Sequence, residues 1–172
     1  KILLKKGIDV INKLSLESIP DYMKKDDVIV IYTPAIPDDN IFLKYFRKNG
    51  NNQIYKRSEI LGEISKQSKC IAVAGTHGKT TTSAIISHLF HSSGIHFKAF
   101  IGGIMKCFDS NFINTGNDYI IVEADEYDRS FLNLNPNYAV ITSIESDHLD
   151  IYGDLKSLAE SFQSFTNNVK DV

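Results

Sequence analysis

Ile71-Ala72-Val73-Ala74-Gly75-Thr76-His77-Gly78-Lys79-Thr80-Thr81-Thr82 is the stretch on which the reading of this 172-residue sequence turns. Ile71 to Ala74 has the length and apolar character of a buried strand, two glycines follow, and a helix is expected from about Lys79 to His91. A phosphate loop occupies this kind of strand-turn-helix junction. Glycines let the backbone approach phosphate oxygens, and the first N–H groups of the helix point at an anion. The lysine adds a point charge, and a hydroxyl such as that of Thr80 can hold Mg²⁺. Only Thr76 and His77 separate the glycines, so the loop is shorter than the general G-x-x-x-x-G-K-[ST] form. A bare Gly-x-x-Gly would read as a turn capped by threonine. With Gly-Lys-Thr-Thr attached, Gly75, Thr76, His77, Gly78, Lys79, Thr80 and Thr81 are expected to bind phosphate.

Working outward, strands are expected at Phe97 to Ile101, Tyr119 to Val122 and Tyr138 to Ile141, with a last helix from Leu155 to about Asn168. The helix after the loop is expected to bury Ala84, Ile85, Ile86 and Leu89. Two polar clusters follow strands. Glu123-Ala124-Asp125-Glu126-Tyr127-Asp128-Arg129 comes directly after the Tyr119 strand, and Asp147-His148-Leu149-Asp150 comes a turn after the Tyr138 strand. Carboxylates at the C-terminal edge of a parallel strand face the crevice where ligands of such sheets bind, and hard oxygens suit Mg²⁺. A solvated acidic loop is the competing reading, and a lone loop histidine is usually just exposed. Emergence at the same edge as the loop favours function for both. His88, His91 and His96 lack partner ligands at fitting spacing and read as surface or packing residues.

Toward the N-terminus, Val28 to Tyr32 reads as a buried strand ended by Thr33-Pro34. Asp38 or Asp39 is expected to cap a helix carrying Ile41, Phe42, Tyr45 and Phe46, ended by Asn49-Gly50. A short strand near Gln53 to Tyr55 and a helix from Ser58 to about Ser65 complete this part. The polar stretch Ser65 to Lys69 suggests a boundary, giving domains at 1–67 and 68–172. Strands alternating with helices predict an α/β fold with parallel sheets and flanking helices.

Lys plus Arg total 19 against 21 Asp plus Glu, a net charge of -2. That balance gives no broad field for nucleic acid or anionic lipid, so phosphate recognition has to be local. No run approaches the about 18 apolar residues of a membrane span. Cys70 and Cys107 show neither ligand nor disulfide spacing, which fits a reducing compartment and predicts a cytoplasmic protein. The chain starts at Lys1 without an initiator Met, and a piece of something longer is expected.

Gly75-Thr76-His77-Gly78-Lys79-Thr80-Thr81, Glu123-Ala124-Asp125-Glu126 and Asp147-His148-Leu149-Asp150 together resemble the ATP-dependent Mur ligases of peptidoglycan synthesis. The loop His and the Glu-Ala-Asp-Glu string bring the resemblance nearest to the branch that adds L-alanine, and the tripeptide-recycling branch shares both features. Tyr32-Thr33-Pro34-Ala35-Ile36-Pro37-Asp38-Asp39-Asn40 is similar to the segment that closes the family's UDP-binding domain, with Thr33-Pro34 in place of a Ser-Ser pair. Ser143 stands where the family usually has Asn. The resemblance implies that residues 1–67 are the C-terminal half of a Rossmann-like UDP-sugar domain. It likewise implies that 68–172 are the first part of a P-loop ATPase-type central domain. It implies Lys79 on the ATP phosphates, Thr80 and Glu123 on one Mg²⁺, and Glu123 with His148 on a second. The reaction implied moves the γ-phosphoryl of ATP to the carboxylate of UDP-N-acetylmuramate, after which the amine of L-alanine attacks the acyl phosphate. The catalytic set is then Lys79, Glu123 and His148, and the piece alone is expected to be inactive. A nucleotide-binding module without turnover is the alternative from another class, and it would have no use for the second metal site.

Overall fold

A computed structural model of the chain describes residues 2–25, 27–49, 53–145 and 152–170. It divides into two compact units, Lys1–Arg57 and Ser58–Val172. The first unit opens with a short helix α1 (Ile2–Lys5) and two 3-10 turns, Leu16–Ser18 and Asp21–Met23. Strand β1 (Ile29–Tyr32), helix α2 (Ile41–Lys48) and strand β2 (Gln53–Lys56) follow. β1 and β2 pair in parallel from Ile29↔Gln53 to Tyr32↔Lys56, with α2 as their crossover. The cap of α2 is Asn40 rather than Asp38 or Asp39. Its Oδ1 accepts from the N–H groups of Phe42 (3.0 Å) and Leu43 (3.2 Å), which leaves Asp38 to pair with Arg47 at 3.0 Å. β1 is not the buried strand expected. Ile29 and Ile31 are exposed, because a two-stranded sheet in so small a unit has a layer over one face only.

The second unit contains a five-stranded sheet in the order β5-β4-β6-β3-β7. Its strands are β3 (Lys69–Ala74), β4 (Phe97–Met105), β5 (Ser110–Asn114), β6 (Tyr119–Glu123) and β7 (Tyr138–Ile141). Around it lie α3 (Arg57–Ser65), α4 (Lys79–Ser92), a 3-10 segment Tyr127–Asn133 and α5 (Leu155–Asn167). Four strands are parallel, and β5 is an antiparallel edge formed by a hairpin from β4. The sequence reading missed β5 because Ser110-Asn111-Phe112-Ile113-Asn114 is mostly polar. One face of an edge strand is solvated, and only Ile113 is buried here.

Alternation along the strands sorts two cores. Cys70, Ala72 and Ala74 of β3 and Ile120 and Val122 of β6 face one side, with Phe131, Phe162 and Phe165. Ile121 of β6 and Phe97, Ala99 and Ile101 of β4 face the other, where Ala84, Ile86 and Phe90 of α4 cover them. The stripe expected on α4 is corrected accordingly: Ile85 and Leu89 are exposed, and the fully buried residues of the helix are Ser83 and Ser87. Large aliphatics at 83 and 87 would hold the helix away from the sheet, whereas the two serines let it close in, with Ile86 and Phe90 flanking them at i+3 and i+7.

The division between units falls at Arg57/Ser58, ahead of the polar stretch that suggested 67/68, because α3 packs with the second unit. Ser65 Oγ accepts from Asn135 N–H at 3.2 Å, and Gly62 lies so close to the backbone carbonyl of Asn133 that a Cβ there would collide with it. Gly→Ala normally stabilises a helix interior by about 0.5–1 kcal/mol. Gly62→Ala is expected to do the opposite, lowering stability by about 1–3 kcal/mol in denaturant unfolding; a stabilised variant would show that this contact does not exist.

Burial pushes the Cys70 thiol up to about 12, while Cys107 is exposed. Alkylation near neutral pH is therefore expected to modify Cys107 alone in the native chain and both thiols only in denaturant. Native labelling of Cys70 on the same timescale would contradict the packing of β3.

Candidate functional site

The loop after β3 is shaped by two glycines and pinned from β7. Gly75 (φ 135°) and Gly78 (φ 81°) both adopt backbone conformations that a side chain disfavours. At Gly75 a Cβ would also collide with the Thr142 hydroxyl. Thr142 N–H donates to Ala74 O at 3.0 Å, and its hydroxyl donates to the carbonyls of Ala74 and His77. Ser143 O accepts from Thr76 N–H at 3.0 Å, and Ser143 Oγ accepts from His77 N–H at 3.1 Å. Thr76 and Ser143 hydroxyls lie 3.0 Å apart, and Thr76 Oγ1 also accepts from Glu145 N–H at 3.1 Å. Thr76 is thus turned back onto the 142–145 turn as a brace for the loop. Helix α4 starts on Gly78, with no side chain capping its first N–H groups. These groups have no carbonyl partners within the helix and carry its positive end, which suits an anion.

Two carboxylates reach this junction from the end of β6. Val73 of β3 is in register with Glu123, so the acidic string starts beside the loop. Glu123 Oε1 accepts from the Thr80 hydroxyl at 2.8 Å, and Oε2 accepts from Gly102 N–H at 2.7 Å. Thr80 and Glu123 therefore present hard oxygens side by side, a donor set fitting Mg²⁺ when phosphate and water complete the shell. Among the described residues no group of three or more His, Cys, Asp or Glu could hold a metal ion. A cation at Thr80 and Glu123 would thus rely on its ligand for further oxygens. Lys79 Nζ donates to Gly75 O at 2.6 Å and stands 2.8 Å from Glu126, whose side chain is fully buried.

The sequence reading quoted Glu126 in its string without assigning it a role. No local signal marks it, since Lys79 and Glu126 are 47 residues apart and meet only once the sheet has formed. Asp125 accepts from Tyr127 N–H at 3.1 Å. His77 is exposed, 3.8 Å from Glu145, and Thr81 is exposed on the first turn of α4. Asp147, His148 and Asp150 lie outside the described residues. Tyr152 donates its hydroxyl to Glu126 O, and burial, followed by the Glu126 charge, pushes the Tyr152 phenol up, keeping it a neutral donor.

Residues 73–172, which include the loop, the acidic string and β7, match the model of the Mur ligase middle domain. The chain belongs to the Mur ligase family. Its curated relatives include the UDP-N-acetylmuramate–L-alanine ligases of Cytophaga hutchinsonii, 46% identical over 99% of this chain, and Flavobacterium johnsoniae, 46% identical over 98%. The chain spans about 37% of the length of each. Among solved structures, UDP-N-acetylmuramate-alanine ligase MurC from Thermotoga maritima matches with a TM-score of 0.79 at 30% identity, covering 97% of this chain and 38% of that one. UDP-N-acetylmuramate:L-alanyl-gamma-D-glutamyl-meso-diaminopimelate ligase from Neisseria meningitides matches with a TM-score of 0.84 at 25% identity, covering 98% and 56%. The α/β fold with parallel strands and flanking helices is the one these Mur ligases share. Among the described residues no helix is long and apolar enough to cross a membrane.

The brace from Ser143 has a measurable consequence. Ser143→Ala deletes the acceptor of His77 N–H, a bond worth about 0.5–1.5 kcal/mol, so amide exchange at His77 is expected to accelerate by about 2- to 12-fold. Unchanged exchange would mean that the loop holds its shape without the Ser143 hydroxyl.

Proposed function

We propose that the chain supplies the ATP-holding part of a ligase that joins L-alanine to UDP-N-acetylmuramate through an acyl phosphate. The observation that carries this reading is the convergence of Lys79, Thr80 and Glu123 at the C-terminal edge of β3 and β6, against an uncapped helix N-terminus. The names of the relatives at 46% identity support L-alanine as the amine and UDP-N-acetylmuramate as the acid. The matched region is 37% of those relatives, so the reaction belongs to the complete ligase. In this reading the unit Lys1–Arg57 belongs to the UDP-sugar domain and the unit Ser58–Val172 to the central ATPase domain. A ligase that draws on ATP to build peptidoglycan precursors would work in the cytoplasm.

Gly75, Gly78, Lys79, Thr80 and Thr81 form the phosphate cradle, while Thr76 and His77 shape it through their bonds to the turn after β7. Lys79 carries the charge that orients the phosphates, and the backbone opened by Gly75 and Gly78 lets them approach. Thr80 and Glu123 would hold one Mg²⁺, and Glu123 with His148 would hold a second. Bound there, Mg²⁺ offsets the negative charge that builds on the transferring phosphoryl oxygens. No covalent nucleophile is required of the chain. Its residues hold the γ-phosphoryl in a fixed geometry, so that in the complete ligase the muramic acid carboxylate oxygen attacks the γ-phosphorus as ADP leaves, and the L-alanine amine then attacks the acyl carbon, losing a proton as phosphate leaves.

The fold similarity to the Neisseria ligase favours a second reading, with a murein tripeptide as the amine. Phosphate release by the complete protein, with ATP, UDP-N-acetylmuramate and either L-alanine or the tripeptide, separates the two. Turnover is expected with L-alanine. In the same assay Glu123→Ala is expected to lower kcat and kcat/KM together by about 10²-fold or more, with a smaller change in KM for ATP. A near-normal kcat would remove Glu123 from the metal site.

A further inference from the structure

Lys79 is held from behind by a charge that no step of the proposed reaction uses. Glu126 is fully buried, Lys79 is 15% exposed, and they stand 2.8 Å apart. The segment that carries Glu126 is itself tightly fixed. Its backbone carbonyl accepts from the Tyr152 hydroxyl and from Arg129 N–H at 2.9 Å, and Phe131 N–H donates to Asp125 O at 2.9 Å. Asp128 and Arg129 take consecutive left-handed conformations, φ 54° and 55°, which non-glycine residues adopt only when their surroundings impose them. The Arg129 guanidinium lies 5.5 Å above the Tyr152 ring, closing the arrangement.

We propose that Glu126 is the positioning residue of the phosphate loop, fixing the Lys79 ammonium so that it meets the phosphates without reorganising; this rests on the ATP-binding reading above. An ammonium has three N–H groups. Gly75 O at 2.6 Å and the Glu126 carboxylate, with Oε1 at 3.0 Å and Oε2 at 2.8 Å, fix the Lys79 ammonium, so an anion in the loop would meet a charge already oriented. Lys79 does not exchange Glu126 for the phosphate. A buried carboxylate deprived of its cation is strongly unfavourable, and Glu126 has no exposed surface through which water could compensate it. Glu123 lies on the Thr80 side of the loop, engaging Thr80 and Gly102.

The test is a double-mutant cycle on the full chain with Glu126→Gln, Lys79→Ala and the pair, reading Mg²⁺-ATP affinity by calorimetry and thermal midpoint. Glu126→Gln is expected to weaken Mg²⁺-ATP binding about 5- to 10-fold when Lys79 is present and by less than about 2-fold in the Lys79→Ala background. Lys79→Ala alone is expected to lower the midpoint by about 5 °C or more, because it removes the cation 2.8 Å from a fully buried carboxylate, and the double variant is expected to regain most of that loss. Equal effects of Glu126→Gln in both backgrounds would overturn the proposal and leave Glu126 an ordinary core group. Should Glu126→Gln not fold, Glu126→Asp, which keeps the charge but withdraws it by one methylene, passes through the same cycle with the same criterion. If the wild-type chain binds no Mg²⁺-ATP, the nucleotide reading fails. A recovered midpoint in the double variant would then show Glu126 to be a structural partner of Lys79 only, which also overturns positioning.

Discussion

Parallel pairing of β3 with β6 is the constraint on which the rest of the second unit depends. In a parallel pair both strands end at the same edge, so the loop that follows one and the acidic string that follows the other must meet. The register Val73↔Glu123 makes that meeting specific. A slip by one residue would exchange the faces of β6, turning Ile120 and Val122 out of one core and Ile121 out of the other. The hydrophobic cores on the two faces of the sheet thus hold the site in register. Stability and site geometry have one physical origin here.

Around that edge each polar group is engaged by a neighbour that fixes its direction. β7 braces the loop through Thr142 and Ser143, Gly102 on β4 fixes one oxygen of Glu123, and Glu126 fixes Lys79 from the interior. These contacts come from four different strands and their connections. A phosphate-binding loop works by presenting donors already in place, because a site that must reorganise spends part of its binding energy on ordering. Within the loop His77, Gly78, Thr80 and Thr81 face solvent, while Thr76 and, from the end of β6, Glu126 are buried supports.

Much of this was legible in the residues. The junction from Ile71 to Thr82 combines an apolar strand, two glycines at a turn and a lysine and threonine opening a helix, and each has a local physical meaning that survives in the fold. The strands at Phe97, Tyr119 and Tyr138 and the closing helix at Leu155 followed from runs long and apolar enough to be unambiguous. Where the reading erred, the deciding force was not local. Asn40 displaced two candidate aspartates as a cap because Asp38 was taken by Arg47, a residue nine positions on. Polar Ser110 to Asn114 became a strand because β4 offered it a ladder.

The sequence by itself determined the alternating α/β order, the position of the phosphate loop and the family, because these depend on spacing and side-chain chemistry along one stretch of chain. Only the tertiary structure decided which face of α4 is buried, since the separation of helix and sheet, not hydrophobicity alone, put Ser83 and Ser87 inward and left Ile85 and Leu89 outside. It also decided that Thr76 braces the loop and that Glu126 backs Lys79, pairings across 67 and 47 residues of chain. A hydrogen bond or ion pair between distant segments has no local signal, because its energy exists only once the sheet has brought the two ends together.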